Sequence, residues 1–379
     1  MKKAFFTLIL IVICAFCLIS CELIDEQPSA PQPDDNFFVN DDSYDNNDVS
    51  SGNESQNVPF AGGTGRINDP YRIATAEQFN YIVSYLSKNT YFILTNSIDL
   101  RAWNTPFMFT GHLDGNGQRI TYYQTLSAPE DKVVYGGLFS SVEQATVSNL
   151  IIEAYVSVAT SSTAAIGCLA GISRDSQILQ VNTKGAINYD LGDHNVNIGG
   201  VVGEIHSGSI EQCCNEANIQ CHARHAKTGG IAGFAGVDGL PINISDSYNK
   251  GEIAAYTPHL DGGRASGGIV GQICGHAAIN CTISNCYNIG VVKIVQEGWL
   301  ICLGWYGCGD VIGDIFEKDD RNIIVQNCYW PINKNELCGN NGKFHQNGGI
   351  GNMNGIYPGW SSSIWAFSSI SSPALKWMQ

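Results

Sequence analysis

Five residues within a short stretch carry the side chains that zinc prefers: Cys213, Cys214, Cys221, His222 and His225. Zinc sites are tetrahedral sets of thiolate and imidazole, but this spacing matches no standard finger. Cys213 also falls at a fixed place in a repeating unit, which reads it as a small core residue, so no metal ligand is assigned. His112 and Asp114 have the types for acid and base work, yet they stand beside the turn Asp114-Gly115-Asn116-Gly117, where such residues serve the turn. Six acids, Glu204, Glu211, Asp246, Glu252, Asp310 and Asp314, are the candidates for the converging carboxylates that glycoside cleavage needs. They occupy different repeat positions and read as solvated surface groups. No Gly-x-Ser-x-Gly elbow is present for a nucleophilic serine. The sequence therefore assigns no catalytic residue and calls for no cofactor, and it leaves the ligand-binding residues open.

The elements that would position these side chains are set by one repeated stretch. Ser266-Gly267-Gly268-Ile269-Val270-Gly271 has near-copies at Gly136-Gly137-Leu138-Phe139-Ser140, Gly167-Cys168-Leu169-Ala170-Gly171, Gly199-Gly200-Val201-Val202-Gly203, Gly229-Gly230-Ile231-Ala232-Gly233 and Gly309-Asp310-Val311-Ile312-Gly313. Successive first glycines are 31, 32, 30, 38 and 42 residues apart. Each copy is too short for a helix and reads as a strand whose glycines mark crowding by a neighbouring backbone. A second signal comes after each copy, as in Ile210-Glu211-Gln212-Cys213, Ile244-Ser245-Asp246-Ser247, Ile283-Ser284-Asn285-Cys286 and Val325-Gln326-Asn327-Cys328. The three-residue step from the β-branched residue to Cys or Ser breaks strict alternation, which predicts a bend between them. A third piece with a glycine turn comes next, as in Lys184-Gly185-Ala186-Ile187 and Lys250-Gly251-Glu252-Ile253.

Strand, bend, strand, turn and strand in about 30 residues predict one coil of a right-handed parallel β-helix, each coil burying its neighbour. The fold class is all-β, a solenoid with a short N-terminal capping helix. A propeller or a sandwich is the alternative. The glycine-fenced strands followed by Cys-Tyr-Asn resemble the GLUG motif family of bacterial envelope proteins, over roughly residues 60–379. That resemblance implies a parallel β-helix on surface or secreted proteins, some of them adhesins or parts of larger enzymes, and implies no general activity. Cys168 in place of glycine, Ser140 in place of the last glycine and the worn sixth copy depart from the pattern.

Residues 1–20 read as a lipoprotein signal peptide, with Lys2 and Lys3 ahead of an apolar run. Leu18-Ile19-Ser20-Cys21 resembles the bacterial lipobox, which implies that Cys21 carries the lipid and becomes the new N-terminus. Residues 21–58 read as a disordered acidic tether, since 22–58 hold ten acids and no Lys or Arg. The run Asp41 to Asp48 lacks the ligand order and glycine of a calcium loop. Residues 59–135 read as an N-terminal cap and first coils, opened by the capping box Thr75-Ala76-Glu77-Gln78 with Phe79, Ile82, Val83 and Leu86 on one helical face. Residues 136–330 are the repeats, and 331–379, with Trp360, Trp365, Phe367 and Trp377, read as a C-terminal cap on the last coil.

Of the net charge of −15, only −7 belongs to residues 59–379, with no basic stripe, which argues against a nucleic-acid partner. The insertions around Val237 to Pro241, Thr257 to Arg264 and Gln296 to Gly309 are expected as projecting loops. Trp299 to Tyr306 reads as a core strand or an aromatic sugar-binding patch. Eleven of the fourteen cysteines lie beyond Cys21, an odd number, and Cys302 with Cys308 is a candidate disulfide. The reading that unites these features is a lipid-anchored protein of the outer membrane, exposed at the cell surface and displaying a β-helix for adhesion or for binding glycans or proteins of a host or neighbouring cell. A β-helical polysaccharide lyase or hydrolase and a structural spacer are the alternatives.

Overall fold

The computed structural model describes residues 59–127, 132–158, 162–236, 240–257, 263–274, 280–296, 306–316, 322–330, 357, 359–368 and 371–379. The expected signal peptide, Cys21, the expected acidic tether and most of Trp299 to Tyr306 lie outside the described residues. All described residues belong to the unit Asn57–Gln379.

The unit is nearly all β. Its main sheet has 26 strands, and every strand pairing within it is parallel. Each strand bonds to its counterpart in the repeat before and after. Gly167 pairs with Gly199, Gly199 with Gly229, Gly229 with Gly267 and Gly267 with Gly309. The second signal stacks the same way, with Ile178 on Ile210, Ile210 on Ile244, Ile244 on Ile283 and Ile283 on Val325. Copies of one motif therefore lie directly over one another, an arrangement compatible with a β-helix. In the first copy, which carries Ser140, Gly136 pairs one residue out of step, with Ile166.

The expected bend is a single residue in the left-handed backbone region. Asn149, Gln180, Gln212, Asp246, Asn285 and Asn327, all at one repeat position, have φ between 49° and 56°. One such residue turns the chain so that the isoleucine before it and the Cys, Ser, Val or Leu after it both point inward. Cys213, Ser247, Cys286 and Cys328 are buried there, and each donates to the carbonyl two residues back, at 3.3, 2.8, 3.2 and 3.4 Å. The small polar group thus satisfies a carbonyl exposed by the bend, while burial pushes the Cys213 thiol up to about 12.

Two residues further on, a buried asparagine ladder runs through the stack. Asn215 Nδ2 donates to Asn249 Oδ1 and Asn249 Nδ2 to Asn288 Oδ1, both at 2.8 Å. Each amide also closes the following turn, donating to Ala217 O, Gly251 O and Gly290 O. This ladder explains the second glycine of each fence. A Cβ on Gly200, Gly230 or Gly268 would stand 2.2, 2.5 and 2.4 Å from the side-chain carboxamide carbon of Asn215, Asn249 and Asn288. The glycine and the asparagine are one device.

The helix Ala76–Tyr81 forms as the capping box requires: Gln78 N donates to Thr75 Oγ1 at 3.2 Å, and Ala74 N donates to Gln78 Oε1 at 2.7 Å. Phe79 is buried against Trp103, Phe107 and Phe139. The predicted apolar face holds for Phe79 and Ile82 and fails for Val83, which is 50% exposed. The chain tightens into a 3-10 turn over Ile82–Tyr85, and three residues per turn bring Tyr85 rather than Val83 beneath Ile82.

At the other end, the described part of the expected cap lies along the flank of four repeats. Trp377 Nε1 donates to Gln212 O, Trp365 Nε1 to Asp246 Oδ1 and Trp360 Nε1 to Asn327 O, at 2.9, 3.0 and 2.9 Å. Tyr287 Oη donates to Pro373 O. These rings cover Tyr248, Tyr287 and Tyr329, which come directly after the bend cysteines or serine and form a second apolar cluster outside the main core.

Candidate functional site

Among the described residues, two groups of polar side chains bear on function. The first is a groove of about 260 Å³ on the outward face of the first strands, lined by Ile67, Pro70, Tyr91, His112, Asp114 and Ser148 among others. His112 stacks on Tyr91 with ring centres 4.1 Å apart and planes 6° from parallel, because both occupy one outward column on paired strands. Asp114 Oδ1 accepts from Asn116 N at 2.8 Å and from Asn149 Nδ2 at 3.1 Å. The two side chains point into one groove without touching as an acid–base pair. Ile67, 67% exposed, supplies an apolar wall.

The second place is the cleft where the strands on either side of a glycine fence turn their outward faces toward each other. The third glycine permits this closeness, since a Cβ on Gly203 would lie 2.3 Å from Ile166 N. Across the cleft, Asn197 Nδ2 donates to Glu204 Oε1 at 2.7 Å. Glu204 Oε2 is 2.7 Å from His206 Nε2, and Arg174 Nε donates to His206 Nδ1 at 3.0 Å. A donor at Nδ1 places the imidazole proton on Nε2, so His206 donates to Glu204. Arg174 in turn pairs with Glu143 at 3.1 Å. The chain Glu143, Arg174, His206, Glu204 and Asn197 crosses three repeats and has a fixed polarity.

Lys227 completes this cluster. It sits on the strand next to Asn197 and directly in register with it. Its neighbour on the far side is Ala265, and that of Asn197 is Ala165, so each long side chain has the other as its polar companion in the column. Lys227 is partly exposed, and its ammonium lies 5.8 Å from the centre of the Phe234 ring. Among the described residues the ammonium makes no hydrogen bond or ion pair. Burial pushes it below the usual lysine range, with the charge of Glu204 opposing. For Glu204, burial alone raises the carboxyl, but the hydrogen bond and charge of His206, then Asn197 and Lys227, outweigh it and hold it below the usual range. Asn197 Oδ1 is buried with no hydrogen-bond partner.

The other candidates do not converge. Cys213 and Cys221 belong to the core, Cys214 lies in the second apolar cluster, His222 stacks on Tyr256 at 4.2 Å, and His225 Nδ1 accepts from Gly263 N. Glu204 and Asp314 share one outward column, separated by Phe234 and Gln272. Three strand steps put them roughly 14 Å apart, beyond the span of a glycosidase carboxylate pair. Glu252 pairs with Lys293, and Asp246 receives Trp365. Cys308 is disulfide-bonded, and Cys302, its candidate partner, lies outside the described residues. Sequence reading set Glu204 aside as a solvated surface group at a repeat position of its own, whereas it is largely enclosed and shares its position with Asp314, and it missed Asn197, His206 and Lys227. Repeat alignment holds the signal: Asn197 and Lys227 each stand two residues before a fence, and Glu204 one residue after it.

No family model matches the chain. Over 125 residues, 30% of its length, it is 32% identical to a protein of Evansella cellulosilytica named "Putative Gly-rich membrane protein". The match spans 14% of the length of that relative. Among solved structures, the chain is similar to one described as a "putative immunoglobulin A1 protease" from Bacteroides ovatus, with a TM-score of 0.56, 18% identity, and coverage of 84% of this chain and 96% of that one. This likeness is one of fold.

Proposed function

We propose that the chain is a lipid-anchored cell-envelope protein of the outer membrane that displays a right-handed parallel β-helix of GLUG type as a rigid binding surface for glycans or proteins. Cys21 at the end of a lipobox-like signal, followed by an acidic spacer, supports the anchor, and the membrane protein named among its relatives agrees with an envelope location. The observation that carries the binding role is the groove. Exposed aliphatic surface from Ile67, the stacked Tyr91 and His112, the Asp114 carboxylate and the Ser148 hydroxyl share one depression on a backbone fixed by parallel pairing. Sugars present that same mixture of apolar faces and hydroxyls. A glycan array probed with the exported domain tests the reading. Retained glycans, with a tenfold or greater loss of binding for Ile67→Ser and His112→Ala, are the expected result. No retention by correctly folded protein leaves the spacer, and mass loss from an incubated polysaccharide turns the reading to an enzyme.

A further inference from the structure

The cleft cluster has the parts of a covalent reaction between two of its own side chains. Lys227 brings an amine with no hydrogen-bonding partner among the described residues, and Asn197 brings a carboxamide whose oxygen is buried without a donor. Glu204 holds the carboxamide nitrogen, the atom that would have to leave. Neighbouring strands lie about 4.8 Å apart, within reach of a lysine stem that has no polar companion on its other side, where Ala265 stands. A buried polar atom without a partner calls for an explanation, and here the explanation is a reactant.

We propose that Lys227 Nζ and Asn197 Cγ join in an intramolecular isopeptide bond, formed by the folded protein itself and tying one repeat to the next. Lys227 attacks as the neutral amine. Burial favours that form, and the Glu204 carboxylate takes up the proton that the nitrogen sheds on bonding to Cγ. The tetrahedral centre then collapses. The Cγ–Nδ2 bond breaks, and the proton passes from Glu204 to Nδ2, to which it is already hydrogen-bonded at 2.7 Å. Ammonia leaves, a primary carboxamide has become a secondary one, and no oxidant or co-reactant is consumed. Glu204 is the catalytic residue. His206 and Arg174 are positioning residues that hold its second oxygen from behind, at 2.7 Å and through the Nδ1 contact at 3.0 Å. The Phe234 ring lies beside the amine, its centre 5.8 Å from the nitrogen. Carboxylate, amine and carboxamide are brought to neighbouring positions because three outward repeat positions coincide in this one pair of repeats. The same column carries Ala165 and Ala265 on the strands to either side.

The experiment is an intact-mass measurement on the folded exported domain, followed by peptide mapping. The expected mass is lower than that of the sequence by one ammonia, with a branched peptide linking Asn197 to Lys227. Lys227→Arg and Glu204→Gln each restore the full mass, and the Glu204→Gln protein folds with the wild-type spectrum. Full mass in the wild-type protein, with both peptides recovered separately, overturns the proposal. So does an ammonia-deficient mass that hydroxylamine reverses and that yields no branched peptide, since that identifies a cyclic imide at Asn197.

Discussion

The residue that each bend places at positive φ carries a cost that depends on its side chain. Asparagine tolerates the left-handed region, and it stands there at Asn149, Asn285 and Asn327. Asp246 occupies the same position and is also covered by Trp365. Burial raises its carboxyl, outweighing the hydrogen bonds from Trp365 and Asn285, and the charge of Glu211 adds to the rise. An acid whose folded pKa lies above its unfolded value loses stability as pH rises through the interval between them, and stays less stable above it. Asp246→Asn keeps the acceptor for Trp365 and removes that loss. Its unfolding free energy from urea titration is expected to exceed that of the wild type at pH 7, by under about 1 kcal/mol because the group is half exposed, and the advantage is expected to vanish below about pH 3.9. Equal free energies at pH 7 would contradict the assigned burial. Cys213 and Cys286 at the next position behave differently, since their thiols lie wholly inside and burial raises them beyond the physiological range.

At the scale of elements, the stacked repeats and the C-terminal segment solve two separate problems. Parallel pairing buries the inward residues of each repeat against its neighbours, while the tyrosines after the bends point outward and need another cover. The C-terminal segment supplies it: Trp365 is fully buried, and its ring lies 5.9 Å from Tyr248 and 5.7 Å from Tyr287. Because its tryptophans bond to repeats more than a hundred residues away in sequence, the segment couples repeats that otherwise pair only with their neighbours. Trp365→Ala leaves a cavity in this cluster and is expected to cost about 3–4 kcal/mol. The amides around Asp246, Tyr248 and Tyr287 should then lose hydrogen-exchange protection together, while those of the strands before residue 158 keep theirs. Loss confined to the C-terminal segment would show that it is a passenger on the stack. The helix Ala76–Tyr81 has a comparable role at the N-terminal strands through Phe79.

For the whole molecule, the proposed anchor and the proposed cross-link address the same demand. A protein held by a lipid at one end and by a ligand on its face bears load along the chain, and a covalent tie between coils resists separation where hydrogen bonds would yield in turn. The anchor has its own check. Cys21→Ser is expected to move the protein from the membrane fraction to the soluble one, and unchanged fractionation would argue for retention by the apolar segment itself.

Much of this architecture was legible in the chain because a repeat states each contact several times. The glycine fences, the three-residue step at the bend and the Thr75 capping box each reflect a local backbone requirement, and local requirements leave residues at fixed spacings. Val83 escaped because the switch from α to 3-10 turns is set by packing over Phe79 rather than by any residue type. The partners of Glu204 escaped for a related reason. Asn197 and Lys227 are thirty residues apart, and only the strand register, fixed by the full set of parallel pairings, makes them neighbours. The sequence by itself thus determined the repeating unit, its glycines and its inward residues, since these answer to the chain's own geometry. The tertiary structure alone decided which outward side chains meet in the cleft and where the final tryptophans lie, because those contacts depend on how the repeats align rather than on what each repeat contains.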